Sequence, residues 1–414
     1  MLTDTLDIDL SKVKQLGNRL LAQLDALREA EPIYWSAKQS AWIVTGHAEV
    51  VEALSGGLSL SVDRLPRVFT FMPDPQERAE RIPYVIDIVG RMLLSQDPPE
   101  QTRKRRLMMK AFSRPVAESY REYARTVIQE AFDEAIALGE LDWVEHVARR
   151  VAGRVIIRLM GLTDDYLYTL RDWATATLGG LGGGGTTKEM LDGTQAAFLA
   201  MRDTFMVEIN ARRANPGDDF ISALITAEIE GERLTDDDIV STCIMCLIAG
   251  HDTTGNTMGL GTVALAHDRD AWEHFRNPQE NLLDSVMELQ RYVAMSTTQG
   301  RVVSEDFDWQ GHAFRKGQIV YLMLAGANRD PKVFENPGRL DFDRPQSENV
   351  VFGPGLHHCI GHLLAKMQLT EFFPALVDRF EKIEILDEEL DWSTVVGFRG
   401  LHTLNVRVTP RASH

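Results

Sequence analysis

A run that opens at Thr235 and stays largely apolar to about His267 restricts the possible folds more than any other stretch of this chain. Thr235 is followed by Asp236, Asp237 and Asp238. A hydroxyl cap followed by acids suits a helix N-terminus, where free N–H groups and the helix dipole favour negative charge. A helix this long exceeds the usual globular length, so it is expected to be central and buried, with the rest of the chain wrapped around it. Inside it sits Ala249-Gly250-His251-Asp252-Thr253-Thr254. A carboxylate in an apolar helix is costly unless paired or used. Gly250 weakens the helix locally. Thr253 can bond back to the Ala249 carbonyl and open a groove beside the backbone. Taken alone, the same residues also describe a kinked helix with a structural acid.

The second constraint is Phe352-Gly353-Pro354-Gly355-Leu356-His357-His358-Cys359-Ile360-Gly361. It is a glycine-rich loop with a cysteine at the start of a helix, whose apolar positions Ile360, Leu363, Leu364 and Met367 follow helical spacing. Glycines let a backbone approach a flat ligand closely. A helix N-terminus favours a thiolate, and a thiolate held this way can be an axial iron ligand. A buried structural cysteine in a glycine turn is the plain alternative. Zinc is a weaker one, because the neighbours His357, His358, Cys359 and His362 cannot readily close one tetrahedron. A third segment, Glu288-Leu289-Gln290-Arg291, sets opposite charges at i, i+3, which is usually only a surface pair. A fourth, Asp97 to Arg106, carries the basic run Arg103-Lys104-Arg105-Arg106.

Together, in this order and approximate spacing, these blocks resemble the cytochrome P450 family. Phe352, Gly355, Cys359 and Gly361 match its ligand loop, and Ala249 to Thr253 match its oxygen-activation motif. The resemblance covers about Pro32 to Val408. It implies a mainly α fold with a minor β part, holding haem b between the long central helix and the Cys-ligand loop. It makes Cys359 the haem iron's axial ligand. It puts Gln101 (where many bacterial members have His), Arg105, Arg301 and His357 at the haem edge, and Phe352, Gly353, Ala249 and Gly250 against its faces. Asp252 and Thr253 would be catalytic, Thr253 hydrogen-bonding O2 over the groove and Asp252 gating protons. Glu288 and Arg291 would be a buried structural pair, joined by Arg344 from the Asn336–Arg344 segment.

The activity implied is insertion of one oxygen atom from O2 into an apolar small molecule, such as a terpenoid, steroid, fatty acid or polyketide. The pocket would be lined by Ile86 and Val89 of the 82–92 loop, Leu247, Thr297, Thr298, Val396 and Phe398. Electrons would come from a ferredoxin or flavodoxin fed by an NAD(P)H reductase, docking on a basic patch at Arg103, Lys104, Arg106 and Lys110. A peroxide-driven haem-thiolate enzyme is disfavoured by the intact Asp252-Thr253 pair, and a haem-binding sensor without turnover by the complete motif.

Outside these motifs the chain reads as one domain, residues 1–414. Its β-rich parts lie near 33–45, 302–324 and 395–408, and its helical parts at about 99–292 and 360–380. Residues 64–98, rich in Pro, Arg and Phe, have no clear period and read as a long, partly ordered loop. Two motifs mislead. Cys243-Ile244-Met245-Cys246 lies inside the apolar helix and lacks the setting of a redox pair. Gly180-Leu181-Gly182-Gly183-Gly184-Gly185 follows no strand, so it is not a dinucleotide loop. It reads as a hinge between two helices over the pocket. His251 could be a solvent relay, a packing residue or a substrate contact.

A net charge of −17 over 414 residues argues against nucleic acid as the main partner. The N-terminus MLTDTLDIDLSKVKQLG has no signal-peptide pattern, and no uncharged run is long enough to span a membrane, so a cytoplasmic protein is expected. Three cysteines make no disulfide framework.

Overall fold

The computed structural model describes residues 7–10, 13–17, 19–63, 75–181, 186–277, 280–393 and 397–412. Its axis is the helix Asp236–His267, closed at its N-terminus by a reciprocal cap in which Thr235 and Asp238 each bond the other's backbone N–H. That helix runs through two apolar clusters. One gathers Ile239, Val240, Ile244 and Leu247 with Ile156, Phe198 and Phe205. The other gathers Met258, Leu260 and Leu265 with Phe132, Trp143 and Phe373. Glycines set how closely its neighbours come. A Cβ on Gly250 would lie 2.7 Å from Ile156 of the helix Arg149–Leu159, and one on Gly261 would strike Phe373. Gly250 therefore serves close helix packing.

The β part is smaller. Ile33–Ser36 and Ala41–Val44 pair antiparallel, as the sequence suggests, with Ile33 opposite Val44. Ala41–Val44 then runs parallel to Ile319–Leu322, which pairs antiparallel with Gln299–Val303 and, through it, with Leu60–Ser61. Gln310 and Gly311, both at positive φ, turn Phe307–Trp309 into His312–Phe314. Asn405–Pro410 pairs with Phe380–Ile385 and Glu140–Asp142.

The expectation of a loop over 64–98 is corrected from Pro75 onward. Pro75–Arg81 and Pro83–Arg91 are helices and Leu93–Ser95 is a 3₁₀ turn, while residues 64–74 lie outside the described residues. Pro83 sits at the first helical position, where proline is favoured, and Val85 and Ile88 face the core three residues apart. The glycine segment is corrected in part. Gly179 and Gly180 belong to the helix Tyr166–Leu181, and Gly182–Gly185 lie outside the described residues. The helices Tyr166–Leu181 and Lys188–Ala214 flank it, without a preceding strand. Among the described residues no helix is long and apolar enough to cross a membrane.

Candidate active site

The cysteine loop is shaped by backbone that only glycine tolerates well. Gly353 and Gly355 have φ of 66° and 82°, and a Cβ on Gly355 would fall 2.1 Å from the Leu54 carbonyl oxygen. Cys359 N–H donates to the Phe352 carbonyl at 2.9 Å, closing the loop before the helix His362–Arg379 begins. Two side chains of the helix Glu100–Met108 tie the loop down: Gln101 Nε2 donates to the Leu356 carbonyl at 2.7 Å, and Arg105 Nη2 to the His358 carbonyl at 2.8 Å. Gln101 is thus a buried clamp on the loop.

Beneath the loop lies the Glu288–Arg291 pair, fully buried on both sides. Arg291 Nε donates to Glu288 Oε2 at 2.7 Å and Nη2 to Oε1 at 2.8 Å. The remaining Arg291 donors reach the carbonyls of Asn328, Pro337 and Arg339. Arg344 Nε adds a bond to Glu288 Oε1 at 3.3 Å, as expected, and Asp341 N–H another at 3.0 Å. Every charge is met by hydrogen bonds, which is what a buried ion pair requires.

Cys359 opens onto a cavity of about 320 Å³ whose opposite wall is the long helix at Ala249, Gly250 and Thr253. Thr253 Oγ1 donates to the Ala249 carbonyl at 2.6 Å, and Thr257 Oγ1 to the Thr253 carbonyl at 2.9 Å. The back-bonding foreseen at Thr253 is therefore present. Phe352, His357, Gly361 and Phe398 also line the cavity, with a mostly apolar remainder of Leu94, Phe112, Ile156, Met245, Ile360 and Leu364. Burial pushes the Cys359 thiol up from its ordinary value, against the opposing pull of the Gly361 backbone N–H, Arg105 and Lys366. The loop alone does not make the thiolate; a cation bound to Cys359 would, since a coordinating thiol is deprotonated outright.

The cavity fits a haem. A thiol projects from one wall, a helix groove with a hydroxyl faces it from the other, and a Cβ on Gly361 would meet nothing within 4 Å, so that side of the loop stays open to a flat group. Arg105 reaches the backbone next to Cys359 through its bond to the His358 carbonyl. Arg301 is buried, with Nη1 on the Gly300 carbonyl and Nη2 on Gln299 Oε1, and it is not among the cavity-lining residues.

Several pocket expectations are not met. Ile86 and Val89 pack on the apolar core, Leu247 is buried, and neither they nor Thr297 and Thr298 line the cavity. Thr298 Oγ1 donates to the Leu322 carbonyl instead. Val396 lies outside the described residues. Of the named wall, Phe398 remains, and Leu94, just past the Pro83–Arg91 helix, replaces Ile86 and Val89. Gln368, Gln290 and Cys246 were missed as wall residues. The spacing Ile360, Leu364, Gln368 could have led to the first.

The basic patch is corrected too. Lys104 is buried, pairing with Asp238 Oδ1 at 2.7 Å, so it clamps the cap of the long helix. Arg103 pairs with Glu100 and Glu232, Arg106 lies 3.8 Å from Glu230, and Lys110 donates to the Glu228 carbonyl. The acidic hairpin Glu228–Arg233 thus interleaves with the cations, which do not form a bare positive surface. His251 is buried with Nδ1 3.3 Å from Asp252 Oδ1, and Cys243 and Cys246 are buried free thiols.

Comparison with known proteins points the same way. The Cytochrome P450 family profile matches residues 186–391. A biotin biosynthesis cytochrome P450 of Bacillus subtilis (strain 168) is 30% identical over 384 residues, covering 92% of this chain and 94% of the relative. The polyketide biosynthesis cytochrome P450 PksS of the same organism is 29% identical, covering 96% and 97%. Among solved structures, P450BioI in complex with a hexadec-9Z-enoic acid ligated acyl carrier protein superposes with a TM-score of 0.86 at 27% identity, covering 95% of this chain and 99% of that one.

Proposed function

The chain belongs to the cytochrome P450 family and is a haem-thiolate monooxygenase; from that premise we propose that it inserts one oxygen atom of O2 into an apolar chain or ring of the fatty-acyl or polyketide kind. The observation that carries this reading is that the Cys359 thiol and the Thr253 groove face each other across one mostly apolar cavity. Apolar walls with few polar points select a hydrophobic substrate by burial and leave orientation to those points. The two Bacillus relatives, named for polyketide and biotin biosynthesis, and the acyl-carrier-protein complex of P450BioI support the acyl and polyketide classes.

A haem at this site supplies iron that, with two electrons and two protons, passes one atom of O2 to the substrate and the other to water. The chain's part is to hold that group and meter the protons. Cys359 would ligate the iron, and its thiolate donation favours O–O cleavage. Arg105, Arg301 and His357 would face the carboxylate edge, where a guanidinium forms paired, charge-assisted bonds. The Thr253 hydroxyl, released from the Ala249 carbonyl, would donate to the oxygen over the groove. Asp252, next along the helix, would hold the proton that replaces it. Phe112, Ile156 and Phe398 would exclude bulk water, so that protons arrive through Asp252. Electrons would come from a ferredoxin or flavodoxin with its NAD(P)H reductase.

The first test is the carbon monoxide difference spectrum of the dithionite-reduced protein, followed by spin-state titration with hexadec-9-enoic acid. A strongly red-shifted Soret band and a low-to-high spin shift are expected. A Soret band typical of a neutral ligand would overturn the role of Cys359, and no spin shift would overturn the acyl assignment.

A further inference from the structure

The outer side of the long helix carries a second cavity, separate from the one Cys359 enters. It is a polar cleft of about 410 Å³ walled by the helices Arg121–Leu138, Arg149–Leu159 and Tyr166–Leu181, and its floor includes His251. Gly250 and Thr253 line the Cys359 cavity, while His251 lines the cleft, so one turn of helix separates the two spaces. The His251 ring occupies room that Gly153 leaves: a Cβ there would lie 3.1 Å from His251 Cδ2 and 3.6 Å from Nε2.

The second observation concerns hydrogen bonds. His251 is only 3% exposed, and its Nδ1 has no hydrogen-bond partner among the described residues. The same holds for Asp252 Oδ2 and Arg149 Nε. All three atoms belong to one cluster, because Asp252 Oδ1 lies 3.3 Å from His251 Nδ1 and 4.0 Å from Arg149 Nε. Arg149 is held there by the Leu401 and His402 carbonyls. Buried polar groups left without a protein partner are normally satisfied by water, and a polar space is at hand to supply it. The walls of the cleft are balanced: Arg150 pairs with Glu134, which also meets His146, Arg154 pairs with Glu130 and Asp164, and Arg171 pairs with Glu145. Such a cleft has no excess charge to trap an anion and every reason to be wet.

We propose that this cleft is the inlet for protons, and that His251 is the positioning residue that passes them from cleft water to Asp252. A hydronium in the cleft gives its proton to Nε2, leaving water and an imidazolium. The Nδ1–H bond then breaks and an O–H bond forms on Asp252, leaving a neutral ring and a carboxylic acid. The ring returns to its first tautomer by exchange with cleft water. Histidine suits the step because it gains and loses a proton near neutral pH. The proposal rests on the role given above to Asp252, and its test separates the two.

The test uses holoenzyme in the diamagnetic ferrous carbon monoxide form, with histidine labelled at Cε1 for NMR. The His251 signal, assigned by its loss in His251→Phe, is expected to move in Asp252→Asn, because the carboxylate lies 3.3 Å from Nδ1. A signal that ignores Asp252→Asn overturns the contact on which the inlet depends. In turnover of hexadec-9-enoic acid, His251→Phe is expected to lower product per NAD(P)H about tenfold and enlarge the solvent isotope effect, with KM and the carbon monoxide spectrum unchanged. His251→Gln, which keeps a polar end for water, recovers part of the loss. If Asp252→Asn uncouples turnover but His251→Phe does not, the relay is wrong and the role of Asp252 stands. If neither does, the role of Asp252 itself fails.

Discussion

The buried Glu288–Arg291 cluster and the Asp252 segment of the long helix treat their polar groups in opposite ways. On the cysteine side, Glu288 accepts bonds from Arg291, Arg344 and Asp341, and Arg291 spends its other donors on three carbonyls. On the long-helix side, His251 Nδ1 and Asp252 Oδ2 have no hydrogen-bond partner among the described residues, and Thr253 merely borrows the Ala249 carbonyl. A buried polar atom without a partner costs about 1–3 kcal/mol. A chain tolerates that where the atom must meet water, ligand or a moving proton, and avoids it where the group only holds shape. The Glu288 cluster is therefore the frame, and the helix side is the working surface, together with the cavity-lining Gln290 and Gln368, whose Oε1 atoms also lack a partner among the described residues. Substitutions should divide accordingly between loss of fold or cofactor and loss of coupling.

The largest effect belongs to Cys359. Cys359→Ala is expected to remove the red-shifted Soret band of the reduced carbon monoxide complex and to abolish turnover, while circular dichroism stays near that of the parent. An unchanged carbon monoxide spectrum would break the comparison at its root. Next comes Glu288→Ala, which leaves the buried Arg291 and Arg344 without their carboxylate. Breaking a buried pair costs about 3–5 kcal/mol, read as a lower urea midpoint and poor haem retention. A loss below about 1 kcal/mol would mean that the carbonyls of Asn328, Pro337 and Arg339 suffice, and that the frame is not built on charge.

Thr253→Ala tests the other face. It deletes a hydroxyl bonded only to its own helix, so stability should change by less than about 1 kcal/mol. Product per NAD(P)H should fall several-fold and peroxide rise in step. Intact coupling would show that the groove hydroxyl is structural, which would erase the difference between the faces.

What the sequence made legible was local. Thr235 and Asp238 lie three residues apart, Thr253 reaches four residues back, and the glycine loop encloses its own cysteine, so each could be read within a few residues. The failures are non-local. Lys104 belongs to a basic run and looks solvated, but its partner Asp238 is far away along the chain and brings it inside. Ile86 and Val89 belong to the segment expected at the cavity, yet their helix leaves them half-buried against the core, with Leu94 at the wall. The helix Pro83–Arg91 was within reach, since Pro83 at its first position and Val85 with Ile88 on one face are ordinary signals; the surrounding Pro, Arg and Phe concealed them. Cavity walls depend on which turn of one helix meets which turn of another, and that is absent from any short window.

The smallest effect concerns the joint between frame and working surface, the cap of the long helix. Thr235→Ala removes one half of the reciprocal cap and should cost about 1 kcal/mol near neutral pH. Asp238, the other half, is a more exacting probe. Burial alone would raise its carboxyl, but bonds from Lys104 and Thr235 outweigh that and hold it below the usual carboxylate value. A depressed folded value means that the ionised group stabilises the fold above the unfolded pKa of about 4, and that this contribution is lost as pH falls through the lower folded value. The parent should therefore lose stability as acid is added below about pH 4. Asp238→Asn should be weaker at neutral pH and flatter across the acid limb. Lys104→Met removes the cation that holds the value down, so its acid loss should be smaller than the parent's and should finish at higher pH. If Lys104→Met instead kept the parent's acid limb, the cap would be held by Thr235 alone, and the buried lysine would be packing rather than charge.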